Sequence, residues 1–135
     1  MGCGRVGARV AQMLTKAGHE VTVMDVQSSA FGRLGADFKG TTVLGDATDQ
    51  EVLKRAGIER ADAFLAATQG DNRNIMSSQI AQHVFGVGRV VTRIYDPLRS
   101  DTFAALGLRA ISPTIIGATA FYEEITGEPA SSVTV

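Results

Sequence analysis

Met1-Gly2-Cys3-Gly4-Arg5-Val6-Gly7 is the stretch that decides the fold: Gly2, Gly4 and Gly7 spell G-x-G-x-x-G, and an apolar helical pattern follows at once. Each glycine answers a different need. Gly2 makes a tight turn, Gly4 lets the backbone approach a pyrophosphate, and Gly7 lets the helix pack closely on a sheet. Free N–H groups and the positive dipole end at the helix start then attract phosphates. Only Met1 precedes Gly2, so the strand that should feed the turn is missing or truncated in this chain. Met1 is expected to be the last residue of that strand, in a protein that begins further upstream.

Outward from the loop, Val6, Val10, Met13, Leu14 and Ala17 recur at steps of three and four, which predicts a helix over 5–17 closed by Gly18. Val21–Met24 reads as a buried strand ending at Asp25. Residues 26–40 are polar and glycine-containing, with Phe31, Leu34 and Phe38 able to anchor a short helix. Thr41–Leu44 is the next strand. Thr48-Asp49-Gln50-Glu51 has the form of a capping box and opens a helix through Val52, Leu53 and Ala56.

Ala63–Ala67 is a strand, followed by a helix capped at Asp71 or Asn72 with the stripe Met76, Ile80 and Val84. Val90–Tyr95 is a β-branched and aromatic strand, Ser100–Leu106 a short helix, Leu108–Ile111 a last strand and Thr114–Ile125 a last helix. Strands alternating with helices imply an α/β domain with a parallel sheet covered on both faces. The glycine-rich first turn and right-handed crossovers select the Rossmann-like doubly wound order 3-2-1-4-5-6, with the absent strand as its first.

The chain has 135 residues, enough for one domain with a real core, and a formal net charge of −1. That charge gives no whole-chain attraction for nucleic acid or an anionic membrane. No apolar run reaches transmembrane length, and no signal peptide is recognisable. The lone Cys3 cannot form an internal disulfide and fits a reducing compartment, so the expected address is cytoplasmic. His19, His83 and Cys3 have no metal-ligand spacing, and Ser77-Ser78 lacks a nucleophile's setting, so no metal or catalytic residue is assigned.

The candidate ligand residues fall at strand ends. Asp25 lies 18 residues after Gly7, where a carboxylate can accept both hydroxyls of an adenosine ribose. It would repel a 2′-phosphate, which favours NAD or an adenine nucleotide over NADP; the alternative is a solvated strand-end acid. Asp46-Ala47-Thr48 follows the 41–44 strand beside the expected adenine edge. Asp46 could accept from the adenine amino group, while Thr48 could serve only as a helix cap. Thr68-Gln69 ends the next strand at the topological switch point, or is a bare turn. Arg5 and Arg93 are the cations expected to reach phosphates. An arginine in the apolar strand 90–95 is costly to bury without a partner, strand-edge exposure being the alternative. Cys3 sits near a helix N-terminus, which could lower its pKa, or simply fills the loop.

The runs GCGRVGARVAQML, VTVMD, GDATDQEVLKRAGI, ADAFLAAT, GDNRNI and VVTRIYDP…LGLRAISP resemble, in this order and spacing, the TrkA N-terminal domain, also called KTN or the RCK N-lobe. The likeness spans about residues 1–120, leaving 121–135 as the end of a crossover helix and a linker, with the family's C-terminal lobe absent. It implies a cytosolic nucleotide-binding regulatory subunit that controls potassium ion transport, in a homodimer or higher ring, held at the inner membrane face by a potassium transporter or channel subunit. The implied ligand is NAD or NADH, or else ATP or ADP. Carried over by motif, Gly2, Cys3, Gly4, Arg5, Val6 and Gly7 would hold the pyrophosphate and Asp25 the ribose. Asp46, Ala47, Thr48, Thr68, Gln69 and Asn74 would line the ligand, with Arg93 near its phosphates. The turn Gln69-Gly70-Asp71 is less acidic than the family pattern. An NAD-dependent oxidoreductase is the other reading of the fold, but the chain has no substrate domain and no persuasive proton donor.

Overall fold

The computed structural model describes residues 1–133. Helix α1 (Arg5–Lys16) packs through Gly7, Ala8 and Ala11 rather than through the expected apolar stripe. Met13 and Leu14 remain 61% and 41% exposed. Small residues on the inner face let the helix backbone lie close to the sheet, which a Leu or Met stripe would prevent.

Strand β1 (Thr22–Asp25) pairs in parallel with β2 (Thr41–Leu44), Asp25 lying opposite Leu44. A second parallel sheet has β3 (Ala63–Ala66), β4 (Arg89–Arg93) and β5 (Ala110–Ile111) in that order. Residues 1–3 run between the two sheets and tie them together. Gly2 N–H donates to the Met24 carbonyl (2.8 Å), Ala67 N–H to that of Met1 (2.9 Å), and the Met1 ammonium to that of Leu65 (2.8 Å). These are the neighbours that the order 3-2-1-4-5-6 requires on each side of its first strand. The described residues do not themselves complete a continuous six-stranded sheet.

One face of the β1–β2 pair is covered by α1 and a 3₁₀ segment, Ser28–Leu34, which enclose Cys3, Ala8, Ala11, Val23, Ala30 and Leu34. The opposite layer holds α2 (Gln50–Arg55) and α3 (Asp71–Gln79), over a core that includes Leu53, Ile58, Phe64, Ala66 and Val90. Helix α4 (Pro97–Ala105) starts at an Asp96 cap whose carboxylate accepts from Leu98 N–H, with Pro97 in the first turn. It therefore begins three residues before the expected start. Helix α5 (Pro113–Thr126) runs unbroken through residue 120 and buries none of its side chains. The end of the expected linker, residues 134–135, lies outside the described residues. Among the described residues no helix is long and apolar enough to cross a membrane.

Helix α3 departs most from its expected pattern. Met76 and Val84 are more than half exposed, while Asn74, Ser77 and Ser78 are wholly buried. A polar seam replaces the apolar stripe: Thr92 Oγ1 donates to Ser78 Oγ (2.6 Å), and Ser77 Oγ donates to the Arg73 carbonyl (2.9 Å). The helix continues into a π-helical turn, Ile80–Val84. Serine back-bonding of this kind loosens the regular hydrogen-bond ladder.

Candidate functional site

The three glycines of the loop are needed for three separable reasons. Gly2 has φ +96°, and a Cβ there would lie 2.8 Å from the backbone of Ala67 and Thr68. A Cβ on Gly7 would fall 1.9 Å from the Gly2 carbonyl oxygen. Gly4 is different: its φ of −83° suits any residue, and a Cβ would meet nothing within 4 Å. Nothing in the protein itself requires glycine at Gly4, so the space above it is a cradle that a side chain would fill.

That cradle faces the start of α1. Gly4 is the N-cap and no side chain caps the helix, so the N–H groups of the first turn are left to an external acceptor. Gly2 N–H and Cys3 N–H are already spent, on Met24 O and on Asp25 Oδ2 (2.8 Å). Free donors at the N-terminus of a 12-residue helix favour an anion. Arg5 and Val6, in the first turn, are both exposed.

Asp25, the last residue of β1, reaches back over this loop. Its Oδ2 accepts from Cys3 and its Oδ1 from Gln27 N–H (2.9 Å). Each oxygen keeps an acceptor position, so the carboxylate is oriented and still able to take ribose hydroxyls. Cys3 is fully buried. Burial first, and the nearby Asp25 carboxylate second, push its thiol up, opposite to the effect a helix N-terminus alone would have. Cys3 therefore fills the loop as an inert small residue. Sequence reasoning missed Arg33, whose Nη1 donates to the Cys3 carbonyl (3.4 Å) from the 3₁₀ segment; no sequence signal marked it.

Beyond β2, Asp46 Oδ1 accepts from both the backbone N–H (2.9 Å) and the hydroxyl (2.8 Å) of Thr48. Those bonds hold the Asp46 carboxyl below its usual range, with Arg73 adding a smaller pull. The capping box is corrected here: Asp49, not Thr48, caps α2, by accepting from Glu51 N–H. Ala47 is 2% exposed and its side chain belongs to the core, so only its backbone could meet a ligand.

At the end of β3, Asn74 works as a buried clamp. Its Oδ1 accepts from Thr68 N–H (3.0 Å) and Thr68 Oγ1 (2.6 Å); its Nδ2 donates to the carbonyls of Thr68 (2.9 Å) and Arg93 (3.0 Å). With no exposure and every amide valence used, Asn74 holds the ends of β3 and β4 in place. Thr68 is half-buried and Gln69 exposed at the same turn. Asp71 completes the frame. Its Oδ1 accepts from Tyr95 N–H (2.9 Å) and so fixes the segment after β4.

Arg93, the last residue of β4, points its guanidinium across this edge. It donates to Tyr95 Oη and, at 3.5 Å, to the Ala67 carbonyl, and it stacks 4.1 Å above the Tyr95 ring centroid. Among the described residues its Nε is buried without any acceptor. A buried charged donor left unpaired is costly, and an anion is the partner that best relieves it. The ends of β1, β3 and β4 and the start of α1 thus bring Asp25, Thr68, Gln69 and Arg93 to one edge with the glycine loop. Among the described residues no group of three His, Cys, Asp or Glu is arranged to hold a metal ion.

Comparison with known proteins points to one family. Residues 1–113 match the family model of the TrkA-N domain. The Trk system potassium uptake protein TrkA of Streptomyces coelicolor is 46% identical over 112 residues, 83% of this chain and 50% of the relative. A TrkA homolog of Pyrococcus abyssi is 38% identical over 103 residues, 76% of this chain and 45% of the relative. The chain therefore spans about half the length of the relatives it matches. Among solved structures, GsuK bound to ADP superposes with a TM-score of 0.77 at 26% identity, over 92% of this chain and 32% of that one.

Proposed function

The chain belongs to the TrkA-N domain family, and from that membership we propose that it is the nucleotide-binding part of a regulator of potassium transport. The observation that carries this reading is the open space above Gly4 at the uncapped N-terminus of α1, with the buried Nε of Arg93 left without an acceptor at the end of β4. Pyrophosphate would sit against the N–H groups at Gly4–Gly7, ribose against Asp25, and the adenine amino group near Asp46. Thr68 and Gln69 would line the middle of the ligand, and Arg93 would meet its phosphates.

The ligand is NAD or NADH, with ATP or ADP as the alternative that the ADP-bound GsuK structure supports by analogy. Asp25 disfavours a 2′-phosphate in either case. Such a ligand regulates by binding two conformations unequally, so its identity can set a membrane partner's activity without any chemistry. The partner is a potassium transporter or channel subunit, as the names of the TrkA relatives suggest. It would hold the regulator at the cytoplasmic membrane face. A homodimer or ring is the expected assembly, since α5 offers Ile116, Phe121 and Ile125, each more than half exposed, to a neighbour.

Thermal-shift titration with NADH, NAD, ATP, ADP and NADPH tests the reading, because a ligand of the native state stabilises by RT ln(1 + [L]/Kd). Saturable stabilisation by one or more of the first four, weaker with NADPH and without turnover of NADH over a panel of aldehydes and hydroxy acids, supports it. Stabilisation by none, or oxidation of NADH, refutes it.

A further inference from the structure

The opposite end of the sheet carries a second basic site that the nucleotide cleft does not use. Arg89 is the first residue of β4, and Arg109 immediately precedes β5. Thr92 N–H donates to the Arg109 carbonyl (2.9 Å), which fixes that backbone beside β4. Both arginines, with Gln82, Gly88 and Gly107, line one cavity of about 100 Å³. Side chains at Gly88 or Gly107 would meet nothing within 4 Å, so the cavity stays open on their side.

Charge is what makes this cavity informative. No carboxylate lines it. Among the described residues neither arginine has an ion-pair partner within 4.0 Å; the ion pairs present are Lys54–Glu51 and Arg99–Asp71. Asp62, the acid closest to Arg89 by strand register, pairs with neither. Arg89 and Arg109 both line this one small space, and two like charges there favour an anion between them. Planar forks of N–H donors match the oxygens of phosphate and carboxylate groups, and the Gln82 amide adds a neutral donor. A nucleotide-sized ligand needs roughly 300–1,000 Å³, so the cavity selects something much smaller.

We propose that Arg89, Arg109 and Gln82 form a site for a single small oxyanion, of the inorganic phosphate class, independent of the nucleotide cleft. Occupancy would neutralise the β4–β5 end and join the turn after the π-helical segment to the turn before β5. A phosphate signal could then bias the same domain that a nucleotide biases from the other edge.

The test is an amide NMR titration with inorganic phosphate, holding ionic strength constant with sodium chloride. The Gly88 and Gly107 backbone amides and the Gln82 side-chain amide report on this site; the Gly4 and Gly7 amides report separately on phosphate entering the glycine loop. Saturable shifts at Gly88, Gly107 and Gln82 are expected. Their apparent affinity should fall about tenfold or more in Arg89→Gln and in Arg109→Gln, as for loss of a charged hydrogen bond. Both arginines are exposed, and an otherwise unchanged spectrum verifies that each variant is folded. Shifts no larger than those produced by chloride alone, or equal in the double variant, would overturn the proposal. Shifts confined to Gly4 and Gly7 would overturn it too, while leaving the nucleotide reading intact.

Discussion

Gly4→Ala should separate ligand binding from folding more cleanly than any other change in the glycine loop. The new methyl meets no protein atom within 4 Å, and the backbone at φ −83°, ψ −165° suits alanine. Removing a glycine from the unfolded chain stabilises by about 0.4–1 kcal/mol. Alanine is a poorer N-cap than glycine, an opposing loss of about 0.5–1 kcal/mol. The two nearly cancel, so the melting temperature should move by no more than about 3 °C. Binding should change far more, because the methyl occupies the space through which a phosphate would reach the helix N–H groups. Two charged hydrogen bonds weakened by about 1.5 kcal/mol each give a loss of roughly 100-fold in affinity. Gly7→Ala is the contrasting control: its Cβ would lie 1.9 Å from the Gly2 oxygen, backbone against backbone, and the fold itself should fail. Calorimetric titration with NADH and ADP beside thermal unfolding measures both quantities. A Gly4→Ala protein that unfolds early, or binds as tightly as the parent, would refute the assignment of that space to a ligand.

The remaining predictions concern the strand ends. Asp25→Ala should weaken NADH binding by about 1–3 kcal/mol in the same titration, since it removes an oriented charged acceptor; unchanged affinity would take Asp25 out of the site. Asn74→Ala should destabilise by about 3 kcal/mol or more in denaturant unfolding, because it strands buried groups of Thr68 and the Arg93 carbonyl. The low pKa of Asp46 means that the unfolded chain binds its proton first as pH falls. Stability from this carboxylate is complete above about pH 4 and lost as pH drops through the native value. Thr48→Val should remove the bond from its hydroxyl and flatten that part of the acid-unfolding curve. In the chain beginning at Met1, burial pushes the ammonium down to about 6, so the unfolded state holds the extra proton between about pH 6 and 8. Stability should therefore rise by about 2–3 kcal/mol across that window, and a chain extended upstream should not show the rise.

What could be read from the residues alone follows from which constraints are local. Glycine spacing is legible because hard-sphere contacts at Gly2 and Gly7 leave no alternative, and Asp25 because a parallel strand must end where the loop begins. The start of α4 lies ahead of the expected Ser100 because the Asp96 cap and Pro97 set it, and neither belongs to an apolar pattern. The buried face of helix α3 escapes apolar periodicity because it is Asn74, Ser77 and Ser78, held by hydrogen bonds. Thr48 and Asp49 are equally able to cap, and only the competing demand of Asp46 for the Thr48 hydroxyl decides between them. Arg93 is legible as a cation in an apolar strand, but its stacking on Tyr95 depends on side-chain packing that spacing does not encode. Arg33 and the Arg89–Arg109 cavity are tertiary juxtapositions with no local signature.

The central claim is that a nucleotide lies along the strand ends with its phosphates on the α1 N-terminus. Backbone amide NMR during titration with ADP, and separately with NADH, tests it most directly. The account predicts saturable shifts at Gly4–Gly7, around Asp25, and at Thr68–Gly70, with the Arg93 Nε–H resonance moving as it gains an acceptor. Saturation that leaves those amides still, or no saturable shift with either nucleotide, would contradict it.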